Sequence, residues 1–252
     1  MTRIVLCGCN GKMGQVIVRE VSERSDCRIV AGVDVITNCG YDFPVFDDFS
    51  KIDVDADVII DFSNPVTLNG LLKYAVEKKK NAVICTTGYT SEQIEQINEA
   101  SKSIGIFRSG NMSIGINLLI DLVKKAKLIL GDAFDVEIIE KHHNQKIDAP
   151  SGTALMIADA ISEVSEQEPQ YVYDRHAYRK KRDKNEIGIH AVRGGSIVGE
   201  HEVIFAGHDE VITVKHQAQS KEVFAIGSIN AAVFMNSVPA GAYDMNDLIN
   251  AR

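Results

Sequence analysis

The sequence lacks any apolar stretch that approaches the ~18 residues of a membrane span. Its first apolar run, residues 4–7, follows the N-terminus directly, without the basic region and cleavage site of a signal peptide. Repeats at solenoid or propeller spacing are also absent. We therefore expect a cytoplasmic chain with no membrane partner.

Cysteine is scarce, with five residues in 252. They are Cys7, Cys9, Cys27, Cys39 and Cys85. The number is odd and most lie in apolar runs, which is typical of reduced thiols in a cytosolic protein. The one-residue separation of Cys7 and Cys9 is not a usual zinc or redox spacing, and no second pair follows, so we expect no metal site.

An excess of positive charge is missing too, because the formal net charge is −8. That balance disfavours general affinity for nucleic acids or anionic membranes. One basic run, residues 175–184, has six basic residues and one acid. Its flanks are acidic and Tyr178 is its only aromatic residue, so we interpret it as a solvated loop and expect no nucleic-acid partner.

The composition, 45% hydrophobic and 25% charged, is that of an ordinary globular protein with room for one large or two modest domains. The first half alternates between two kinds of segment. Apolar runs occur at 4–7, 29–33, 58–62, 82–85 and 104–107, and helical patterns at 12–22, 65–78 and 91–101. Strand-length runs that are apolar on both faces and joined by helices predict a Rossmann-like parallel sheet. Asn64-Pro65 and Ser91-Glu92 are typical of helix starts.

The pattern changes after about residue 112. It predicts helices at 115–130 and 151–164 with a strand at 136–140 between them. Residues 187–192, 197–205 and 210–216 alternate apolar with polar, as in antiparallel strands with one solvated face. A closing helix, Glu222–Met235, fits either half. We expect an α/β protein whose second, α+β domain contains an open mixed sheet.

A glycine-rich loop follows the first predicted strand. Its residues are Gly8-Cys9-Asn10-Gly11-Lys12-Met13-Gly14. Gly8 would permit a sharp turn, Gly11 a close approach to a pyrophosphate, and Gly14 close packing of the helix on the strand. N–H groups at the helix start favour phosphate charge. A glycine turn of purely structural use is the alternative, since the spacing differs from the commoner G-x-G-x-x-G.

We interpret the glycine loop as the binding site of a nicotinamide dinucleotide, and Asp34 strengthens this interpretation. It ends the second apolar run, twenty residues beyond Gly14, where a carboxylate would bind the ribose hydroxyls of NAD. An acid there repels a 2′-phosphate, and Val35 offers no positive charge, although Lys12 could still reach that phosphate. The sequence thus favours NADH, or use of both NADH and NADPH; a solvated strand-end carboxylate is the alternative.

A second cluster spans residues 140–153, Glu-Lys-His-His-Asn-Gln-Lys-Ile-Asp-Ala-Pro-Ser-Gly-Thr. His142, His143 and Lys146 follow a strand and precede a helix, so we expect them on a loop. Histidine exchanges protons near neutral pH, and lysine is a point cation for a carboxylate. The helix start at Ser151-Gly152-Thr153 adds an anion site. Together these residues suit a small dicarboxylate more than a neutral substrate.

Residues 140–154, E-K-H-H-N-Q-K-I-D-A-P-S-G-T-A, resemble the signature of the bacterial 4-hydroxy-tetrahydrodipicolinate reductases, enzymes of the diaminopimelate route to lysine. The resemblance extends over essentially the whole chain. Its other motifs are the glycine loop, Asp61-Phe62-Ser63-Asn64-Pro65, Thr86-Thr87-Gly88, Asn111-Met112-Ser113-Ile114-Gly115-Ile116-Asn117, Arg193-Gly194-Gly195, Gly199-Glu200-His201 and Phe224-Ala225-Ile226-Gly227.

The resemblance implies an oxidoreductase that passes a hydride from NADH or NADPH to an unsaturated cyclic imine with two carboxylates, with loss of water. It implies that His142 is the general acid and that Lys146 binds substrate and can donate a proton. Substrate binding would also involve His143, Ser151, Gly152, Thr153 and Thr87. Further cofactor contacts would come from Phe62, Ser63, Thr86, Gly88, Asn111 and Met112. The resemblance also implies a homotetramer joined through the mixed sheet of the second domain. It assigns 1–112 with 222–252 to a dinucleotide-binding domain, and 113–221 to substrate binding and oligomerisation.

Four positions depart from the family pattern. Cys85 replaces a glycine before Thr86, Gly110 replaces the alanine before Asn111, and Lys221 replaces an arginine. Asp34-Val35 replaces the acid–arginine pair of NADPH-preferring members, which again favours NADH. Two rival functions stay open, a non-catalytic NADH sensor and another two-domain nicotinamide dehydrogenase acting on an amino or keto acid. The His142 to Lys146 cluster argues against the sensor, which needs no proton donor.

Overall fold

The computed structural model describes residues 1–176 and 179–251. The chain divides into two compact units, Met1–Ser113 with Glu222–Arg252, and Ile114–Lys221. The strands are β1 (Thr2–Cys7), β2 (Cys27–Val33), β3 (Val45–Phe46), β4 (Val58–Asp61), β5 (Asn81–Ile84), β6 (Gly105–Phe107), β7 (Asp135–His142), β8 (Gln170–Val172), β9 (Glu186–Arg193), β10 (Gly199–Ala206), β11 (Val211–Ala218) and β12 (Gly241–Tyr243). The helices are α1 (Lys12–Ser22), α2 (Leu68–Lys78), α3 (Ser91–Ala100), α4 (Ile114–Leu130), α5 (Gly152–Glu163), α6 (Glu222–Met235) and α7 (Met245–Asn250).

The first unit is built on a seven-stranded sheet in the order β12-β6-β5-β4-β1-β2-β3. Every strand pairing in it is parallel. The central strand β4 is buried along its whole length, as its all-apolar Val-Ile-Ile core predicts. The predicted Rossmann-like parallel sheet is confirmed. Strands β3 and β12 were not predicted, since two or three residues are too few to show a pattern.

The helix starts of this unit follow from local side-chain chemistry. Asn64 accepts a hydrogen bond from the N–H of Val66, with Pro65 in the first turn, as predicted. That turn, Pro65–Thr67, is a 3₁₀ helix that precedes α2, so the predicted single helix over 65–78 is wrong in this detail. The cap of α3 is Thr90, which forms a capping box with Gln93, and Ser91 is the first helical residue.

Helix α6 comes from the C-terminal part of the chain and packs against α1, β1, β4, β5 and β6. Asn81 fixes its end, because its amide donates to the carbonyl oxygens of Met235 at 2.7 Å and Val238 at 3.1 Å. Strand β12 then pairs with β6 and forms one edge of the sheet. The first sheet therefore contains strands from both ends of the sequence.

The second unit contains a five-stranded mixed sheet in the order β11-β10-β7-β9-β8, as predicted. Strand β10 is antiparallel to both of its neighbours, β7 and β11. Strand β9, however, is parallel to β7 and β8, so the expectation of an antiparallel strand at 187–192 is wrong. The chain between β7 and β9 includes α5, and such a crossover allows parallel pairing, which alternation alone cannot indicate.

The core of the second unit lies between one face of this sheet and the helices α4 and α5. Burial alternates along β7, where Val136 and Ile138 point into the core with Leu119 and Val123 of α4. The strand continues to His142, which lies opposite Arg193 of β9. The expectation that His142 lies on a loop is therefore wrong; it is the last residue of a strand, where backbone pairing restricts its position.

Within the described ranges, no helix combines the length and apolar character required to cross a membrane.

Candidate active site

The glycine loop between β1 and α1 is a tight turn that excludes larger side chains. Gly8 has φ +78°, and a Cβ atom there would lie 2.3 Å from the carbonyl oxygen of Phe62. A Cβ atom on Gly14 would lie 2.1 Å from the carbonyl oxygen of Gly8. Gly11, which precedes α1, donates its N–H to that same oxygen at 3.1 Å. Gly8 and Gly14 thus have the turning and packing roles that the sequence predicts.

The start of α1 offers backbone N–H groups rather than a side-chain cap. In the part of the chain that the structure describes, no side chain forms a capping hydrogen bond at Gly11. Lys12 is exposed and Met13 is half-buried in the first turn. An uncapped helix start with a positive dipole end favours a phosphate group.

Asp34 lies beside this loop. It follows β2, and its Oδ2 accepts a hydrogen bond of 3.0 Å from the N–H of Asn10. The Asn10 amide in turn donates to the carbonyl oxygen of Ile36 at 2.7 Å. Val35, next to the carboxylate, is 90% exposed and brings no charge. The structure therefore places an oriented carboxylate next to an uncapped helix start.

A buried carboxylate to which the sequence assigned no role, that of Asp61, organises the neighbouring strand ends. Asp61 is 1% exposed at the end of β4 and accepts hydrogen bonds from the hydroxyls of Ser63 and, at 3.2 Å, Tyr89. The N–H of Ser63 donates to Oγ1 of Thr86 at 2.9 Å. Because parallel strands end at one edge, the Phe62-Ser63 and Thr86 segments meet there beside the glycine loop. The signal in the sequence was an acid directly after an apolar run.

A cleft of about 460 Å³ opens at the same edge of the first sheet. It is lined by Ile84, Cys85, Thr86, Thr87, Gly88, Tyr89, Ile94, Arg108, Ser109 and Gly110. Thr87 and Gly88 are exposed, and the Arg108 guanidinium lies over the Tyr89 ring at 5.9 Å from its centroid. Cys85 is half-buried in the wall, and burial raises the pKa of its thiol well above its ordinary value, which disfavours the thiolate.

Residues 111–113, which end the N-terminal part of the first unit, are closely packed. Met112 is 5% exposed, and Oδ1 of Asn111 accepts a hydrogen bond of 2.8 Å from the N–H of Ser113. A Cβ atom on Gly227 of α6 would lie 1.7 Å from the carbonyl oxygen of Met112. Only glycine at position 227 allows α6 to pack so closely on this backbone, which the sequence motif containing Gly227 did not reveal.

In the second unit, His142 and Glu140 form a buried pair at the end of β7. Nδ1 of His142 lies 2.6 Å from Oε2 of Glu140, and Glu140 is fully buried. Burial lowers the pKa of His142, an effect that the Glu140 carboxylate only partly offsets. A neutral imidazole beside an ionised carboxylate is a suitable arrangement for proton transfer near neutral pH.

The Glu140 carboxylate is further bound by Arg193 and by the start of α5. Arg193 donates to both carboxylate oxygens at 2.7 Å, and the N–H of Ser151 donates to Oε1 at 2.9 Å. Burial raises the pKa of Glu140, but the hydrogen bonds from Arg193, His142 and Ser151 outweigh burial, and the pKa is lowered. Neither Glu140 nor Arg193 was assigned a role from the sequence, although both lie in its motifs.

Ser151 caps α5 and contacts a second histidine. Its Oγ accepts a hydrogen bond from the N–H of Ala154 and lies 3.0 Å from Nε2 of His201. Burial lowers the pKa of His201 to about 4, so this side chain is neutral near pH 7. Its ring meets that of His142 edge-on, with a centroid distance of 5.3 Å. His201 is a further member of the cluster that sequence reasoning missed.

Three other predicted substrate residues, Lys146, Gly152 and Thr153, also lie in the second unit. Lys146 forms a 2.8 Å ion pair with Asp148, and its N–H donates to the carbonyl oxygen of His143 at 3.2 Å. Gly152 is exposed and Thr153 half-buried in the first turn of α5. Thr87, the remaining residue expected to contact substrate, belongs to the first unit.

Three residues of the basic run at 175–184, Arg175, Lys180 and Arg182, form ion pairs with carboxylates. Arg175 pairs with Glu186 at 2.5 Å, and Arg182 with Glu137 at 3.0 Å. Residues 177 and 178 lie outside the described residues, including Tyr178, on which the stacking argument was based. These ion pairs reduce the positive charge that the run presents.

Comparison with known proteins gives one consistent result. Residues 2–112 match the family of dihydrodipicolinate reductase N-terminal domains, and residues 115–249 match the corresponding C-terminal family. A 4-hydroxy-tetrahydrodipicolinate reductase of Clostridium tetani is 52% identical over 251 residues, covering 100% of this chain and 98% of the relative. One from Caldanaerobacter subterraneus is 53% identical over 249 residues, covering 99% and 98%.

A solved structure resembles the whole chain as well. It is a dipicolinate-bound dihydrodipicolinate reductase from Paenisporosarcina sp. TG-14. The TM-score is 0.81 at 26% sequence identity, and the match covers 98% of this chain and 99% of that one.

Proposed function

The chain belongs to the dihydrodipicolinate reductase family, and on that basis we propose that it reduces 4-hydroxy-tetrahydrodipicolinate to tetrahydrodipicolinate with loss of water. The reaction lies in the diaminopimelate route of lysine biosynthesis. It consumes one hydride and one proton, and the 4-hydroxyl group leaves as water. The observation that carries the proposal is the buried Glu140–His142 pair beside the capped start of α5, in a chain 52% identical to a relative named for this reaction.

The first unit is the proposed dinucleotide-binding domain. The dinucleotide, when bound, supplies the hydride. Its pyrophosphate would lie on the loop from Gly8 to Gly14, where the uncapped start of α1 offers backbone N–H groups to the phosphate charge. Residues Phe62, Ser63, Thr86, Gly88, Asn111 and Met112 are the further proposed contacts, and the strand-end hydrogen bonds around Asp61 support a common location for the first three.

We propose a preference for NADH over NADPH. Asp34 would accept hydrogen bonds from the ribose hydroxyls, and Asn10 holds its carboxylate in place. A 2′-phosphate would meet that negative charge with only the uncharged Val35 beside it. Lys12, which is exposed in the loop, is the cation that would permit some use of NADPH.

The second unit is the proposed substrate-binding domain. His142 is the proposed general acid, and Lys146 binds a substrate carboxylate and can donate a proton. His143, Ser151, Gly152 and Thr153 are the proposed carboxylate contacts, with Thr87 from the first unit. The relative from Paenisporosarcina is described as dipicolinate-bound, which supports a small dicarboxylate as ligand. Backbone N–H groups at a helix start and a neighbouring ammonium group suit two carboxylates.

We further propose that the protein works in the cytoplasm as a homotetramer joined through the mixed sheet. The test of the oligomer is its mass in solution, measured by light scattering.

The function is tested by following oxidation of NADH and of NADPH with freshly generated 4-hydroxy-tetrahydrodipicolinate. We expect oxidation of both, with a higher kcat/KM for NADH. A purified protein that binds NADH but never oxidises it with substrate present would favour the non-catalytic sensor. Oxidation only with an amino or keto acid would favour another dehydrogenase.

A further inference from the structure

The Glu140 carboxylate lies at the centre of a hydrogen-bond network in the second unit. It is fully buried and is contacted by four donors from three segments of the chain. They are Nη1 and Nη2 of Arg193, the N–H of Ser151 and Nδ1 of His142, at distances of 2.6 to 2.9 Å. Such a fully satisfied carboxylate has one orientation, and so do the groups that donate to it.

We propose, on the basis of the function above, that Glu140 is a positioning residue for His142. The Glu140 carboxylate accepts a hydrogen bond from Nδ1–H of His142 and so fixes the orientation and the tautomer of the imidazole. In this arrangement Nε2 is the nitrogen that takes up the proton from solvent and delivers it to the substrate. No bond to Glu140 is made or broken in the reaction, and the proton moves only through Nε2 of His142.

The direction of the Glu140–His142 hydrogen bond follows from the charges around it. The bidentate guanidinium of Arg193 and the N–H of Ser151 keep the carboxylate ionised, and an ionised carboxylate can only accept. Nδ1 of His142 must therefore carry a hydrogen. In the neutral imidazole this leaves Nε2 without a hydrogen, ready to take up a proton.

The surroundings of Nε2 agree with this assignment. A Cβ atom on Gly199 would lie 3.1 Å from Nε2 of His142, so glycine at that position keeps a side chain away from this nitrogen. His201 on β10 lies edge-on to the ring and is itself neutral. The Ser151 hydroxyl is taken by His201 and by the N–H of Ala154.

Burial and the neighbouring charges together set the protonated fraction of His142. Burial is the largest effect and lowers its pKa; Lys146 and Arg193 lower the pKa further, and Glu140 raises it. Glu140 is thus the one of these charges that favours the imidazolium form. Without the charge of Glu140, a smaller fraction of His142 would be protonated at any pH above the pKa of His142.

Glu140 also connects two segments that carry proposed substrate contacts. Through Ser151 it is bonded to the start of α5, and through Arg193, which donates to the carbonyl oxygen of Asp148 at 2.6 Å, it reaches the segment that contains Lys146. One carboxylate thereby fixes the proposed acid and the adjacent anion-binding backbone together.

The first experiment uses the unsubstituted full-length protein without ligands. Nitrogen-15 NMR of the histidine side chains gives the tautomer of each neutral ring, and His142 is assigned by the signal that His142→Gln removes. We expect the Nδ1–H tautomer for neutral His142. The Nε2–H tautomer would overturn the proposal, and this result requires no activity and no variant of Glu140.

The second experiment compares Glu140→Gln with Glu137→Gln. Glu137 is the matched control, because it lies on the same strand and pairs with His190 and Arg182 instead of His142. In Glu140→Gln we expect the pKa of His142 to fall by about one unit or more, since an opposite charge within hydrogen-bond distance has been lost. The falling alkaline limb of the kcat profile should move to lower pH by the same amount, and kcat above that pKa should fall about tenfold.

NADH affinity should stay unchanged in both variants, and Glu137→Gln should leave the pKa of His142 and the kcat profile as they are. An unmoved alkaline limb in folded Glu140→Gln would overturn the proposal. If Glu140→Gln does not fold, the tautomer of His142 in the unsubstituted protein decides. If the unsubstituted protein does not reduce the substrate, the proposed function fails, and the tautomer and pKa results still report on Glu140 separately.

Discussion

Replacing Gly14 by alanine tests whether the glycine loop depends on backbone packing. The new Cβ atom would lie 2.1 Å from the carbonyl oxygen of Gly8 and 2.6 Å from that of Cys9, both backbone atoms. Reaching ordinary contact at about 3.4 Å requires α1 to move by about 1 Å from the turn. Overpacking of this kind costs up to about 3 kcal/mol. Alanine regains about 1 kcal/mol as the better helix former, so we expect the free energy of unfolding to fall by about 2 kcal/mol.

The same displacement should weaken NADH binding. A phosphate hydrogen-bonded to N–H groups at the start of α1 would lose contacts worth about 1.5–3 kcal/mol each when those groups move by about 1 Å. Loss of a single contact corresponds to a Kd about 10- to 150-fold higher. Gly70→Ala is the matched control, because Gly70 is also the third residue of an eleven-residue helix, and its Cβ atom would meet only Phe49, at an ordinary 3.4 Å.

Urea denaturation gives the stability of both variants, and fluorescence titration gives their NADH affinity. We expect Gly70→Ala to be at least as stable as the unsubstituted protein and to bind NADH equally well. If Gly14→Ala matched Gly70→Ala in both measurements, the close approach of α1 to the turn would not be a requirement of the fold or of binding.

Other substitutions separate the proposed chemistry from structure. His142→Gln should lower kcat by about 10²-fold or more, as expected for loss of a general acid, without changing NADH affinity; unchanged turnover would remove His142 from the mechanism. Lys146→Met should raise KM for the substrate and lower kcat, since its ammonium is proposed to bind a carboxylate, whereas a change in thermal stability alone would contradict that role. Asp34→Ala should lower kcat/KM for NADH more than for NADPH, and equal effects would show that the carboxylate does not contact the ribose.

Hydrophobic pattern predicted most of the fold because the spacing of apolar residues within a segment is local in sequence and differs between helices and buried strands. The runs at β1, β2 and β4 are strand-length and apolar, and α1 was predicted with its observed bounds. The pattern did not predict the direction in which a strand pairs with its neighbour, and it did not reveal very short strands. The alternation in β9 does not distinguish a parallel from an antiparallel neighbour, and β3 and β12 are too short to form a period.

The candidate site also contains residues that the sequence predicted and residues that it did not. The sequence predicted Asp34 beside the glycine loop, and the structure places it there. It could not assign roles to Glu140 and Asp61, because each also has a partner that is distant in sequence. Arg193 lies 53 residues from Glu140, and Tyr89 lies 28 residues from Asp61. Hydrogen-bond partners that only the folded chain brings together leave no spacing signal in a single sequence.

The return of α6 to the first sheet has a consequence for how the protein is synthesised. Ala225, Ile229, Ala232 and Met235 of α6 are buried, so until they emerge from the ribosome the sheet formed by the first 113 residues is uncovered on that side. At about 5–20 residues per second, the remaining residues up to the end of α6 require roughly 6 to 24 s. Throughout that interval the nascent chain exposes an apolar surface that is prone to aggregation. We therefore expect a chaperone that covers this surface to raise the yield of native protein.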